Sequence, residues 1–213
     1  MNKYYLIRLV CQLFPPIISQ KLREKLISSV DVPANSDFKR KSFVGGIFEG
    51  NLKDFHSKRF YFHGYFEWRI IVLAKKILNK NPGNVIEVGA NVGTETVSLA
   101  KINPNKNVYA FEPLEENYVY LEKIKKINNF NNLILFRTLV SNDIGQASFN
   151  IPAKNQSGSG YILNLPTEGS REIEVTTMDA RLKNISSCSL IIMDVEGFEF
   201  NVILGGDNII TKF

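Results

Sequence analysis

Carboxylate side chains stand at or near the ends of three apolar runs in this chain. Glu87 is the third residue of one run, Glu112 directly follows a second, and Asp194 directly follows a third. Such groups accept hydrogen bonds from hydroxyls, attract cations or take up protons. Each alone could equally cap the following helix. Together, on three separate strands, they predict a ligand site.

The segment Val85–Gly93 and the residues after it predict a nucleoside-binding βαβ unit. Its first four residues are typical of a buried strand, and its two glycines permit a tight turn into a helix predicted at Thr94–Lys101. A second predicted strand, Val108–Phe111, is followed by Glu112. An acid at this position suits the hydroxyls of a ribose.

The charge of this unit narrows the range of ligands that it could bind. Dinucleotide sites place pyrophosphate on a G-x-G-x-x-G turn, whereas the spacing here is Gly89-x-x-x-Gly93 without the third glycine. Glu87 would repel a phosphate and attract an ammonium or sulfonium group. S-adenosylmethionine carries both cations and no phosphate, so the pattern favours it over a nicotinamide cofactor.

These motifs make the chain resemble the FkbM-type methyltransferases, a branch of the class I S-adenosylmethionine-dependent enzymes. The resemblance implies an α/β fold with a Rossmann-like sheet and helices on both faces. It covers roughly residues 60 to 210. The matching segments are Gly64–Glu67, Val85–Gly93, Val108–Pro113, Val175–Asp179 and Ile192–Glu199.

The resemblance also implies roles for individual residues. Asp194 and Glu196 would face the transferring methyl group and the acceptor as the leading candidates for the catalytic base, ahead of His63 and Glu67, while His56 is discounted. Glu112 would accept hydrogen bonds from the ribose. The residues expected to bind the cofactor are Glu87, Gly89, Asn91, Gly93, Glu112 and Asp194. No metal is indicated.

Two further features bear on the fold class. Alternating residues in Ala147–Ile151 and Arg171–Thr177, around the turn Gly158–Gly160, predict an antiparallel insertion that either borders the acceptor site or only connects strands. The family continues into further strands after the helix expected near Phe213. We therefore expect the sheet to lack its C-terminal strands, because the sequence is a fragment, because another chain completes it, or because the fold is shortened.

Composition predicts one globular core with a basic N-terminal arm. The chain has 213 residues, 44% of them hydrophobic, and a net charge of +5. Residues 1–80 carry 15 basic and 6 acidic side chains, whereas residues 81–213 carry 11 and 15. The arm should therefore attract the acidic region or an anionic surface. Two cysteines, Cys11 and Cys188, without metal-ligand spacing favour a reducing compartment, and we expect a cytoplasmic protein.

The pattern along the chain predicts a basic helical extension and linker at 1–59 and a methyltransferase domain at 60–213. Residues 1–30 read as two helices divided at Pro15–Pro16 that dock onto the chain itself or, alternatively, lie on a membrane surface. Asp31–Asn51 reads as a linker with some strand character. Tyr61–Leu78 reads as one helix.

The function predicted from these residues is S-adenosylmethionine-dependent O-methylation of a sugar hydroxyl or other small alcohol. The sugar or alcohol rests on the family resemblance alone. The alternatives are a non-catalytic, truncated binding module and, third, a nicotinamide enzyme. Nucleic acid is not an expected partner, since no recognition motif accompanies the basic residues. Assembly with further copies of the chain is left open.

Overall fold

The computed structural model describes residues 3–13, 20–150, 161–163 and 169–213. In the described residues the elements are, in chain order, α1 (Lys3–Leu13), α2 (Gln20–Ser28), β1 (Asp37–Lys41), β2 (Ile47–Asn51), α3 (Phe55–His63), α4 (Trp68–Lys80), β3 (Val85–Val88), α5 (Thr96–Ile102), β4 (Val108–Phe111), α6 (Glu115–Asn128), β5 (Leu133–Phe136), β6 (Leu139–Val140), β7 (Gly145–Asn150), β8 (Tyr161–Leu163), β9 (Arg171–Thr176), α7 (Met178–Arg181), β10 (Leu190–Met193), α8 (Glu199–Leu204) and α9 (Asp207–Lys212).

A parallel sheet with the order β10-β3-β4-β5 lies at the centre of the chain. The strands align in register, so that Val85 lies beside Leu190 on one side and Val108 on the other. The three strands predicted beside carboxylates, β3, β4 and β10, are confirmed, and β5 completes the sheet. Because they are parallel, their carboxyl ends meet at one edge, where ligands of open α/β sheets bind.

Helices cover both faces of this sheet. On one face Val85, Val108 and Leu133 pack with apolar side chains of α4, α5 and α6. On the other face Ile86 and Phe111 pack with side chains of α7, α8 and α9. Successive strand residues point to opposite faces, which explains why short, continuous apolar runs fill both layers.

The region predicted as a linker forms a β-hairpin instead. Strands β1 and β2 pair antiparallel, and the backbone of Ile47 both donates to and accepts from the Asn128 side chain at the end of α6, each at 2.7 Å. Phe48 lies in the same core as Val85. The linker prediction for Asp31–Asn51 is therefore wrong in part, because the hairpin packs on α6 and the main core, which are remote in sequence.

The single helix predicted at Tyr61–Leu78 is two helices. Gly64 ends α3 in the left-handed conformation, at φ 81°, with its amide bonded to the Phe60 carbonyl. A glycine there closes the helix at little steric cost. Helix α4 begins only at Trp68, so the intervening residues turn towards the edge of the parallel sheet.

The N-terminal helices pack on α3. Ile7 and Cys11 of α1 and Ile27 of α2 share a small core with Phe62. Pro15 and Pro16 lie outside the described residues. In the part of the chain that the structure describes, no helix is long and apolar enough to cross a membrane. Contact of residues 1–30 with a membrane surface stays a prediction.

The predicted antiparallel insertion is confirmed. Strands β7 and β9 pair antiparallel in a second sheet with the order β6-β9-β7-β8. The Gly158–Gly160 turn falls outside the described residues. Phe149 of β7 packs with Leu114 beside the edge of the parallel sheet, so this sheet helps to enclose the space there.

Candidate active site

A cavity of about 440 Å³ opens at the carboxyl ends of β10, β3 and β4. Helix α3, the α3–α4 connection and the start of the second sheet complete its walls. Its size lies within the range of small-molecule sites. We name it the acidic cavity after the six carboxyl side chains that line it, which belong to Glu67, Glu87, Glu95, Glu112, Asp194 and Glu196. No lysine or arginine is among its described lining residues.

Gly89 permits the close approach of two strand ends at the cavity. It has φ of +84°, and a Cβ atom there would lie 2.1 Å from the Asp194 carbonyl oxygen. The Asp194 amide in turn donates to the Val88 carbonyl at 3.1 Å. Any side chain at position 89 would therefore separate β3 from β10, and only glycine fits.

Gly93 has a different environment. Its φ is +86°, and a Cβ atom would lie 2.6 Å from Ile124 and 2.7 Å from Leu121, both on α6. Gly93 is not among the residues that line the acidic cavity. The structure thus places this predicted cofactor residue where α6 packs against the turn.

Glu87 lies buried at the floor of the acidic cavity, with 3% of its surface exposed. Its carboxylate accepts a hydrogen bond from the Thr96 hydroxyl at 2.7 Å. Burial, and after it the nearby charge of Glu95, raise the pKa of Glu87 to about 8, although the Thr96 hydrogen bond opposes this. The buried carboxyl gains its charge readily only beside a cation.

Glu112 joins the end of β4 to the turn after β3. One carboxylate oxygen accepts from the Asn91 amide at 2.8 Å, and the other accepts from the Leu114 amide at 3.0 Å and the Asn117 side chain at 3.2 Å. Burial raises the pKa of Glu112 to about 7 and outweighs these hydrogen bonds. Glu112 is therefore fixed in orientation before any ligand binds.

Glu95 is a lining residue that the sequence patterns did not single out. Its carboxylate accepts from the Glu67 amide at 2.7 Å and from the Thr94 hydroxyl at 2.6 Å. Burial raises its pKa to about 7. An acid at the start of α5 looks like an ordinary helix-terminus charge in sequence. The sequence feature that could have indicated Glu95 as a lining residue is its position two residues after Gly93.

Asp194 and Glu196 lie on the exposed side of the acidic cavity, after β10. Glu196 and Gly197 have left-handed φ values of 50° and 95°, which turn the chain sharply at the rim. The Glu199 carboxylate accepts from the amides of Val195 and Gly197, each at 3.4 Å. Glu199 thus stabilises the loop, and the two predicted catalytic acids line the cavity.

His56 on α3, which the sequence analysis discounts as a catalyst, also lines the acidic cavity. Its Nδ1 atom lies 3.3 Å from the Asn91 side-chain nitrogen. Burial lowers the pKa of His56, and so does Arg59, whereas Asp54, Asp194 and Glu196 oppose the shift. The Oδ1 atom of Asn91 is buried without a hydrogen-bond partner among the described residues.

His63, a candidate base from sequence, lies outside the acidic cavity. It lines a separate cleft of about 90 Å³ that shares Phe66 and Glu67 with the cavity. Burial, and then the charges of Arg23, Arg59 and Arg40, lower the pKa of His63 to about 4. Among the described residues, no group of His, Cys, Asp or Glu is arranged to hold a metal ion.

Comparison with protein families identifies the family of this chain. Residues 87–213, more than half of the chain, match the methyltransferase FkbM domain, and the chain belongs to that family. The predicted family, the Rossmann-like fold and S-adenosylmethionine as cofactor are confirmed. The predicted Gly64–Glu67 element precedes the matched residues.

Comparisons with curated proteins and with solved structures do not bear on the function. The search of curated proteins found no match. Among solved structures, the chain is similar to M. jannaschii TYW2 in complex with AdoMet, with 22% sequence identity and a TM-score of 0.37. The similarity covers 51% of this chain and 46% of that one, so the chain spans about half of the neighbour's length. A likeness this weak carries no argument about function.

Proposed function

We propose that this chain is an S-adenosylmethionine-dependent O-methyltransferase whose acceptor is a sugar hydroxyl or another small alcohol. One observation supports this most strongly. The acidic cavity combines six carboxyl side chains with no lysine or arginine among its described lining residues. Such a lining suits a cationic ligand and disfavours the pyrophosphate of a dinucleotide.

The residues present fit the cofactor. Glu112 is held by three hydrogen bonds from the chain and would accept the ribose hydroxyls with its remaining lone pairs. Glu87 and Asp194 face the cavity from adjacent strands and would attract the ammonium and sulfonium groups.

The chain has to position the acceptor and remove its proton. S-adenosylmethionine, when bound, supplies a methyl group on a positively charged sulfur that is a good leaving group. An alcohol has a pKa of roughly 16, so a base that takes the hydroxyl proton as the oxygen attacks the methyl carbon speeds transfer. Positioning provides most of the remaining acceleration.

His56, Asp194 and Glu196 are the groups placed to receive that proton. The lowered pKa of His56 keeps its ring neutral near pH 7. A rotation of the Asn91 amide by 180° would let Oδ1 accept the Nδ1 proton, which leaves Nε2 as the proton acceptor. Asp194 and Glu196 would then stabilise the imidazolium. We therefore assign the base to His56 and the supporting charge to the two acids.

Calorimetric titration with S-adenosylmethionine tests the proposal. We expect one site per chain, competition by S-adenosylhomocysteine and release of S-adenosylhomocysteine in the presence of a panel of sugars and small alcohols. Binding without turnover on any acceptor would favour the non-catalytic binding module. No binding by a chain with a cooperative thermal transition would remove the proposed cofactor site.

A further inference from the structure

A second recess lies beside the acidic cavity and has the opposite charge. We name it the basic cleft. It is formed by α2, the C-terminal end of α3, the α3–α4 connection and the start of α4. Its ionisable residues are Arg23, Glu24, Arg59, His63, Glu67 and Arg69.

The positive charges of the basic cleft exceed the negative ones. The residues that line the cleft carry three guanidinium groups and two carboxylates. Arg59 pairs with Glu24 at 2.5 Å, and Arg23 donates to the Tyr65 hydroxyl at 3.5 Å. Arg23 is held in place by burial, with 2% of its surface exposed. Burial, and after it the charges of Arg23, Arg59 and Arg40, lower the pKa of His63 to about 4.

His63 also offers a hydrogen-bonding atom. Its Nδ1 atom is buried without a hydrogen-bond partner among the described residues. A neutral imidazole with Nδ1–H can donate one hydrogen bond, and the arginines can donate charge-assisted ones. Together with the Tyr65 ring stacked on His63 at 5.5 Å, these groups form a recess suited to an oxyanion.

Helix α3 connects the two recesses. His56 and His63 are seven residues apart, which places them on the same face of the helix about two turns, or roughly 10 Å, apart. Phe66 and Glu67 line both recesses. A molecule that reaches from one to the other would pass along these two residues.

We propose that the basic cleft binds an oxyanion group of the acceptor, such as a phosphate monoester, while the hydroxyl to be methylated lies near His56. This inference rests on the proposed function and adds the acceptor's charge to it. The acceptor would be an anionic alcohol whose hydroxyl and oxyanion are separated by roughly 10 Å.

Inorganic phosphate is the probe for the first test, titrated into the full chain with and without S-adenosylmethionine and followed by phosphorus NMR. Arg69→Ala removes an exposed cleft arginine with little risk to folding. Lys76→Ala, an exposed cation on the same helix that does not line the cleft, is the matched control. We expect Arg69→Ala to weaken phosphate binding about three- to tenfold and Lys76→Ala to leave it unchanged.

Turnover gives the second test. Phosphorylated sugars should be methylated with a higher kcat/KM than their unphosphorylated parents, and Arg69→Ala should raise KM for the former alone. Equal phosphate binding by Arg69→Ala and Lys76→Ala, or equal kcat/KM for charged and neutral acceptors, would overturn the inference. Cofactor titration of the same samples separates the two proposals, since loss of cofactor binding refutes the proposed function without affecting phosphate binding.

Discussion

The acidic cavity and the basic cleft lie at opposite ends of one face of α3, and each contains a histidine of that helix. The charges of Asp54, Arg59, Asp194 and Glu196 act on His56, whereas, among the described residues, only those of Arg23, Arg59 and Arg40 act on His63. Burial lowers the pKa of both rings. Residue type and spacing therefore do not assign a role to a histidine, because burial and the charges brought by other elements decide whether an imidazolium would be tolerated.

Replacement of each histidine by alanine provides the most direct test of this contrast. We expect His56→Ala to lower kcat about a hundred- to a thousandfold and to leave cofactor affinity nearly unchanged, as for loss of a general base. His63→Ala should leave kcat nearly unchanged and raise KM for the acceptor. Steady-state kinetics of both variants checks this, and an equal fall of kcat in the two would refute the division of roles.

Loss of Glu112 should cause the next largest effect, on affinity instead of turnover. Glu112→Ala removes the acceptor proposed for the ribose hydroxyls, which should cost about 3 kcal/mol or roughly a hundredfold in cofactor affinity. Calorimetry measures it. Glu116→Ala is the control, because its carboxylate pairs with Arg171 at the surface. Unaltered affinity in Glu112→Ala would remove the ribose role.

Cofactor affinity should depend on pH because the buried acids lose protons when a cation binds. The pKa of Glu87 is about 8 and that of Glu112 about 7. Affinity should therefore rise between pH 6 and pH 8, by up to roughly tenfold per unit while one carboxyl remains protonated. Calorimetry in buffers of different ionisation enthalpy would detect the released proton. Glu87→Gln should flatten this rise, and an unchanged slope would contradict it.

The same raised pKa predicts an effect on the free chain. The folded state holds the Glu87 proton up to about pH 8, whereas the ordinary glutamate value is 4.5. Folding stability therefore falls as the pH rises between these values. Glu87→Gln should raise the midpoint of thermal unfolding at pH 8 relative to the wild type and gain nothing at pH 4. Equal shifts at both pH values would show that the carboxyl is not held protonated.

Glu67 lines both recesses. Its replacement should cause the smallest effect because its side chain is exposed to solvent. Glu67→Gln removes a partly exposed negative charge, so we expect cofactor affinity to fall less than about threefold and phosphate affinity to rise by a similar factor. Parallel titrations of one preparation measure both. A change of the same sign in the two titrations would show that Glu67 does not couple the recesses through its charge.

Much of the acidic cavity was predictable because its parts are local in sequence. The strands β3, β4 and β10, the turn at Gly89 and the acid at Glu112 each follow from a few adjacent residues. Parallel pairing then brings the strand ends together at one edge. The residues at the floor of the cavity, including Glu87, are therefore predictable from the sequence pattern.

The walls were less predictable because they depend on contacts between remote segments. Nothing near His56 indicates that α3 lies against Asn91, and nothing near Ile47 indicates its pairing with Asn128. Gly64 was visible in sequence, yet the apolar spacing on both sides favoured one helix over two. Glu95 is typical of a helix-terminus charge in sequence, and only the fold brings its carboxylate to the Glu67 amide.

The first 86 residues supply one side of the acidic cavity and most of the basic cleft, although the family match begins only at Glu87. Under the two proposals, donor recognition would lie mainly in the residues from β3 onward and acceptor choice in the residues before β3. A chimera that joins another family member's leading segment to this chain's residues 85–213 keeps β3 intact. It should bind the methyl donor as this chain does and adopt the other enzyme's preference for the methyl acceptor.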